Sequence, residues 1–261
     1  MSNVKSIPHS HKSKNPTARP RASLSFADEG RLHIRPVGSQ PISVALDRLR
    51  QGQEFVAPLG NRGSGYRAAK RLFDVVGALA LVAALGPIML ATLAILTVTA
   101  KGRPLFFQER VGFCGRRFWM IKFRTMRLDA DRLQHIVFNE KDGPIFKNRR
   151  DPRITRIGRL LRVTSIDEMP QLFNVLWGSM SLVGPRPPVA KEVAQYEPWQ
   201  RKRLAIKPGL TCLWQISGRS EIQFEHWVRM DLWYLQNQSF STDLKLLLRT
   251  PASVISGRGA Y

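Results

Sequence analysis

Cysteine is nearly missing from this chain: Cys114 and Cys212 are the only two, and they lie far apart in sequence. Two such thiols build neither a disulfide framework nor a zinc site, which fits a reducing, cytosol-facing protein without structural metal. The five histidines are scattered and form no His-Glu-x-x-His pair, so the metalloprotease pattern is excluded. There is no Walker loop, no Gly-x-Gly-x-x-Gly fingerprint and no Ser-centred nucleophile elbow. ATP, dinucleotide and serine-hydrolase chemistry are therefore not expected. No apolar stretch follows the start of the chain, so neither is a secretory signal. Acidic residues are few: 19 Asp and Glu stand against 41 Lys and Arg, for a formal net charge of +22. Such an excess points to anionic partners, whether nucleic acid, anionic lipid or phosphate-bearing substrates. Charge alone does not choose among them.

Residues 1–65 read as a basic disordered tail and linker. The stretch is rich in Ser, Pro, Lys and Arg, its first acidic residue is Asp28, and prolines 8, 16 and 20 oppose an amphipathic targeting helix. Val44 to Leu49 suit a short helical turn, and Gly60, Gly63 and Gly65 mark a flexible joint.

What is abundant is one apolar run. From Val75 to Ala100 there is no charged residue; at about 1.5 Å rise per residue the run exceeds a hydrocarbon core of about 30 Å. Gly86 and Pro87 sit at its middle, where proline removes a backbone bond. Its flanks are both basic, with Lys70 and Arg71 before and Lys101 and Arg103 after. A spanning helix shows a positive bias on one side. Symmetric flanks suit a re-entrant hairpin bent at Pro87, and a single kinked span stays open on these residues alone.

Downstream the chain becomes mixed and globular. Aromatic-rich segments 105–108 and 118–123 flank Gly112 and Gly115 and read as a short β-hairpin. Residues 129–138 read as a short helix, Asp142-Gly143-Pro144 as a turn, and 154–163 as an amphipathic helix with Arg153, Arg156, Arg159 and Arg162 at threefold spacing. A second helix opens near Ser165 and runs towards Leu176. Prolines 185, 187 and 188 enforce an extended segment, and helices follow at 189–196, 224–236 and 244–255. The fold class is α+β and mostly helical: a membrane helix-break-helix at 66–101, then a small cytosolic catalytic domain at 102–261 with a hairpin and amphipathic interfacial helices.

Asp167-Glu168 follows Thr164-Ser165-Ile166. Ser165 and Glu168 form a Ser-x-x-Glu capping box, and acidic residues belong in a first helical turn, where they also stay ionised. The same pair is able to supply a nucleophile and a magnesium ligand. Both readings stand on the residues. Pro185-Arg186-Pro187 presents one guanidinium on a proline-locked loop suited to bidentate phosphate binding. Lys122 and Arg124 bracket Phe123, and Arg219 closes a polar loop after the turn at Lys207-Pro208-Gly209. Asp129 and Asp131 match the short Asp-x-Asp metal motif, but such a pair in a charged helix is common, and they are left out of the site.

Taken in order, these segments resemble the bacterial sugar transferase family, the monotopic polyprenyl-phosphate hexose-1-phosphate transferases. The resemblance is carried by Lys70-Arg71-Leu72-Phe73-Asp74, Pro87, 106–112, 122–126, Asp151-Pro152-Arg153, 167–175, 180–187, 207–211, Ser217-Gly218-Arg219 and Gly259-Ala260-Tyr261. It covers residues 70–261 and is similar to the short, exopolysaccharide-initiating subgroup. Ser179 stands where many members are acidic, and Asn237 near a frequent Trp. The resemblance implies a hairpin broken at Gly86-Pro87, a UDP-hexose donor, undecaprenyl phosphate as acceptor, and Mg2+. It implies Asp167 as nucleophile and Glu168 as its partner in holding the metal. Lys122, Arg124, Arg186 and Arg219, with the Pro185 and Pro187 frame, would neutralise phosphates. It places the protein in the bacterial inner membrane, catalytic domain towards the cytoplasm, with lipid as partner, no nucleic acid, and room for a homodimer. The hexose, galactose or glucose, is not fixed. The competing readings are a membrane-anchored, non-enzymatic basic binding protein and a spanning glycosyltransferase using Asp129 and Asp131.

Overall fold

The computed structural model describes residues 63–140, 143–257 and 259. The expected tail up to residue 62, the turn at 44–49, Asp142 and the closing Ala260-Tyr261 lie outside the described residues.

The apolar run forms α1 (Ser64–Thr99), with Pro87 inside it. The expected break at Gly86-Pro87 is not a break in secondary structure. One proline withdraws one N–H, leaving the Ala83 carbonyl without its helical donor, and the good helix formers on either side carry the turns across. Only 17% of the most apolar stretch of α1 is buried, which separates it from the core helix of a globular protein. By length and composition it is able to cross a membrane.

The buried positions of α1 fall in two groups. Lys70, Asp74 and Ala78 recur at fourfold spacing on one side of the proline; Met89, Thr92 and Leu96 lie on the other. The first group meets the main core, which includes Leu172, Val175, Met180, Leu182, Trp214, Trp227, Val228 and Leu246. Gly77 is needed there: a Cβ on it would come within 2.6 Å of Leu182 Cδ1. The second group packs with Phe123 and Leu161 in a separate cluster. Both halves of α1 therefore dock on the same globular unit, while Val76, Leu79 and Leu90 stay exposed between and around these seams.

Two basic residues that read as a charged flank are consumed by this docking. The Lys70 ammonium lies 2.5 Å from Asp74 and 3.0 Å from Asp243, and donates to Ser181 at 2.6 Å. Asp74 also accepts from the Leu182 backbone N–H at 3.1 Å. Arg71 donates to the carbonyls of Val175 and Leu176, both at 2.5 Å, and so satisfies the C-terminus of a later helix.

The expected hairpin is present as β1 (Leu105–Val111) antiparallel to β2 (Arg117–Phe123), with Phe106 opposite Lys122 and Arg110 opposite Phe118. Phe106, Gln108, Arg110 and Lys122 thus share a face. The expected helix at 129–138 is a run of turns with one 3-10 turn at Gln134–Ile136. Only Ala130 and Val137 are buried there, while Ile136 and Phe138 are exposed; no apolar stripe rewards an α-helix. Next comes α2 (Arg156–Val163), capped by Thr155 accepting from the Gly158 N–H.

The helix expected from Ser165 is divided. Ile166–Glu168 is a 3-10 turn, and α3 (Gln171–Trp177) starts after Pro170. Pro170 has no N–H to bond back to Ile166, so a continuous α-helix would lose that link. Then follow β3 (Ser181–Val183), α4 (Ala190–Ala194), α5 (Pro198–Arg201), β4 (Gly209–Thr211), α6 (Phe224–Asn237) and α7 (Phe240–Ser256). β3 and β4 pair in parallel, Ser181 opposite Gly209, a two-stranded sheet that three-residue strands leave invisible to periodicity.

Replacing Lys70 by Met leaves Asp74 and Asp243 buried without their cation. A loss of about 3–5 kcal/mol is expected, read as a lower unfolding midpoint of the detergent-solubilised protein. An unchanged midpoint would show that the network does not hold α1 to the body.

Candidate active site

A cleft of about 400 Å³ opens over the hairpin face and the 3-10 turn. Asp167, Glu168, Lys122, Arg124, Arg186 and Arg219 all line it. Residues from four separate stretches of chain are thus brought together as the sequence motifs suggest. Pro185 and Pro187 do not line the cleft; their backbone holds Arg186. Gly86 and Pro87 lie on α1, away from it.

The carboxylates are placed by an unusual residue. Ser165 has φ +56°, in the left-handed region, at a cost of about 1 kcal/mol for a non-glycine residue. This sends the chain from α2 straight into the 3-10 turn. The capping box expected between Ser165 and Glu168 does not form: the Ser165 side chain caps nothing and instead accepts from Arg219 at 3.5 Å. The two carboxylates are therefore not explained by a helix cap.

Their environments differ sharply. Glu168 accepts from the Lys122 ammonium at 2.7 Å and from Gln215 Nε2 at 3.5 Å. The Asp167 carboxylate, 8% exposed, accepts no hydrogen bond among the described residues. Burial raises both pKa values. At Glu168 the contact with Lys122, helped by Arg186, outweighs burial and holds the group near 2. At Asp167 burial dominates, the Glu168 charge adds to it, and the more distant Lys122, Arg162 and Arg186 do not cancel it; the pKa rises to about 6. The expectation that a helix N-terminus keeps Asp167 ionised is overturned: no α-helix begins there, and desolvation wins. The result is a buried carboxylate with free lone pairs, poised near neutrality beside a fixed one. That is what an oxygen nucleophile needs.

The cations around them are held from several sides. Lys122 is desolvated, which lowers its pKa against the pull of Glu168. Arg162, in the last turn of α2, donates to Thr125 Oγ1 at 3.0 Å and also lines the cleft. Its helix sits close to that segment only because position 158 is glycine: a Cβ there would fall 2.0 Å from the Thr125 carbonyl oxygen. Arg110 is buried among cations, and burial with Arg186 draws its pKa down to about 10. Arg124 is partly committed to structure, donating to the carbonyls of Arg103 and Leu105 at 2.8 and 3.0 Å.

Arg110, Lys147, Arg162 and Gln215 also line the cleft. Arg110 belongs to the 106–112 segment, Gln215 opens the polar loop that ends at Arg219, and Arg162 carries the threefold arginine spacing that ends five residues before Asp167; Lys147 had no signal in local sequence. Of the Asp-x-Asp pair, Asp129 does not line the cleft and pairs with Arg127 at 3.1 Å on the surface, while Asp131 does line it, so the two carboxylates do not act together there. Among the described residues no three His, Cys, Asp or Glu side chains gather to hold a metal.

Residues 65–257 match the family described as bacterial sugar transferase. The galactosyl transferase CpsE of Streptococcus agalactiae is 44% identical over 199 residues, 74% of this chain but only 43% of its own length, so the chain spans less than half of that relative. The exopolysaccharide production protein ExoY of Sinorhizobium fredii is 38% identical over 74% of this chain and 88% of its own. The UDP-glucose:undecaprenyl-phosphate glucose-1-phosphate transferase of Caulobacter vibrioides is 38% identical over 242 residues, 89% of this chain and 84% of its own.

A carboxyl whose pKa is raised on folding loses stability for the protein as pH climbs from its unfolded value to its folded one. Asp167→Asn is therefore expected to raise the unfolding free energy at pH 7 by about 3 kcal/mol at most, with the gain gone below pH 4. Thermal unfolding of both proteins across that range measures it; a variant less stable at pH 7 would contradict the assigned environment.

Proposed function

The chain belongs to the bacterial sugar transferase family, and from that premise we propose that it transfers a hexose 1-phosphate from a UDP-hexose to undecaprenyl phosphate, releasing UMP. This would be the first membrane step in building an exopolysaccharide or related glycoconjugate. The observation that carries the reading is the Asp167 carboxylate: buried, without a hydrogen-bond donor, and surrounded by guanidinium and ammonium groups in one cleft.

The steps balance without ATP. An Asp167 oxygen bonds to the sugar-bearing phosphorus, and the bond from that phosphorus to the bridging oxygen breaks, releasing UMP. The acyl phosphate on Asp167 is then attacked by an oxygen of the lipid phosphate. A new diphosphate forms, the bond to Asp167 breaks and the carboxylate returns. One anhydride is exchanged for another, through a covalent aspartyl-phosphosugar intermediate.

The obstacle is like charge, because a carboxylate must approach a diphosphate. Lys122 neutralises Glu168, while Arg186, Arg162 and Arg219 face the same space and offer the diphosphate fixed positive charge. Asp167 and Glu168 fit a Mg2+ completed by substrate, since this ion is commonly bound through one or two carboxylates with phosphate oxygens and water supplying the rest. Bound there, it would add positive charge against the diphosphate.

The same reading puts α1 in the membrane as a re-entrant element, with the globular unit on the cytoplasmic side. What supports it is that both halves of α1 dock on one unit while the stretch between exposes apolar side chains. Neither galactose nor glucose is favoured, since relatives of both kinds share this chain's segments.

With UDP-galactose, UDP-glucose, undecaprenyl phosphate and Mg2+, the purified protein is expected to release UMP. Asp167→Asn should fall below about one thousandth of that rate. Inactivity with every common UDP-hexose, or an active Asp167→Asn, would refute the transferase reading. For topology, single cysteines at Tyr66 and Arg103 in a Cys114→Ser background should react with a membrane-impermeant thiol reagent from the same face; labelling from opposite faces would establish a span.

A further inference from the structure

Residues 185–188 read Pro-Arg-Pro-Pro. Three of the four lack an N–H, so the segment offers the fold almost nothing but acceptors. Each of its four carbonyls is taken by a different donor. Pro185 accepts from the Gly209 N–H at 2.9 Å and Pro188 from the Val111 N–H at 2.9 Å. Pro187 accepts from Arg110 at 2.9 Å, and Arg186 from Arg203 at 3.2 Å.

Arg203 differs from the other cations. It is 2% exposed and does not line the cleft. Its guanidinium pairs with Asp231 at 2.5 Å and donates to the Tyr196 hydroxyl at 2.8 Å. It also lies 5.8 Å from the centre of the Trp227 ring, the same indole that the Arg186 guanidinium approaches at 5.9 Å. One buried side chain thus fixes both the backbone of Arg186 and the surface its side chain rests on. A buried ion pair adds little net stability, because desolvation offsets the attraction. What Arg203 and Asp231 visibly deliver is geometry.

We propose that Arg203, held by Asp231, is a positioning residue that sets where the Arg186 guanidinium stands in the cleft, and through it how the donor diphosphate is gripped. The proposal rests on the transferase reading. A lysine cannot replace Arg203, since a single ammonium does not reach Asp231, Tyr196 and the Arg186 carbonyl in a planar fork.

The test is UMP release with UDP-hexose by four proteins: wild type, Arg203→Lys, the volume-matched pair Arg203→Met with Asp231→Leu, and Arg186→Ala. The paired change leaves no unpaired buried charge, so its unfolding midpoint should stay near wild type. A displaced guanidinium is expected to cost on the order of 100-fold in kcat/KM, in Arg203→Lys and in the pair alike. The decisive readout is the cycle with Arg186→Ala, where adding either change should cost nothing more, because the group being positioned is gone. Equal further losses in that background would reduce Arg203 to a structural role and overturn the proposal. So would wild-type kcat/KM in a folded Arg203→Lys or paired variant. If the paired variant does not fold, Arg203→Lys alone decides. A wild type that releases no UMP overturns the transferase reading itself, and the positioning role with it.

Discussion

The Lys70 ammonium sits between Asp74 of its own helix, Asp243 of α7 and Ser181 of β3. Its neighbour Arg71 closes the end of α3. An apolar helix has no electrostatic reason to stay with a water-facing body, and dispersion alone does not fix its rotation. The buried ion pair supplies direction: Lys70 satisfies its partners only when α1 is turned to present Asp74 to the Leu182 amide. That rotation sets Gly77 against Leu182 and leaves Met89 and Leu96 to meet Phe123 and Leu161. The second cluster then carries Ile166 and Met169, which flank the two carboxylates. The path from the apolar helix to the candidate site is short and continuous.

At the site, one physical contest has two outcomes. Burial raises the pKa of any carboxyl, and a contacting cation lowers it. Asp167 is buried and its neighbour Glu168 half-buried, and one ammonium lies at 2.7 Å from only the second of them. Glu168 becomes a permanent anion that anchors Lys122. Asp167 keeps its lone pairs free. Neighbouring residues with similar chemistry are assigned different work by a single contact made from another strand.

Much of this was written in local sequence. The apolar run, the hairpin with its Gly115 turn, the arginine-ridged α2 and the proline-locked segment follow from hydropathy, periodicity and the chemistry of glycine and proline. The ordered motifs identified the carboxylates and four of their cations. What escaped was non-local. Lys70 and Arg71 read as a charged flank because, Asp74 apart, their partners lie 104 to 173 residues away. The left-handed Ser165 escaped too: Ser-x-x-Glu looks like a capping box, and nothing local says that Pro170 and the packing of Ile166 and Met169 will impose a tighter turn. The parallel pairing of β3 with β4 is three residues long on each side, below any period that a sequence reveals.

The four consecutive carbonyls at 185–188, each with its own donor, have a consequence for the energetics of recognition. Proline narrows the conformations open to a chain even when unfolded, and the remaining freedom of this segment is lost when the body assembles around it. Ordering one backbone residue costs about 1–2 kcal/mol of conformational entropy. For Arg186 that cost falls on folding and is already settled before any anion reaches the cleft. An arginine on a pliant glycine loop would have to become ordered at each encounter, weakening every binding event by that amount. Here the disorder is removed once, at the birth of the fold.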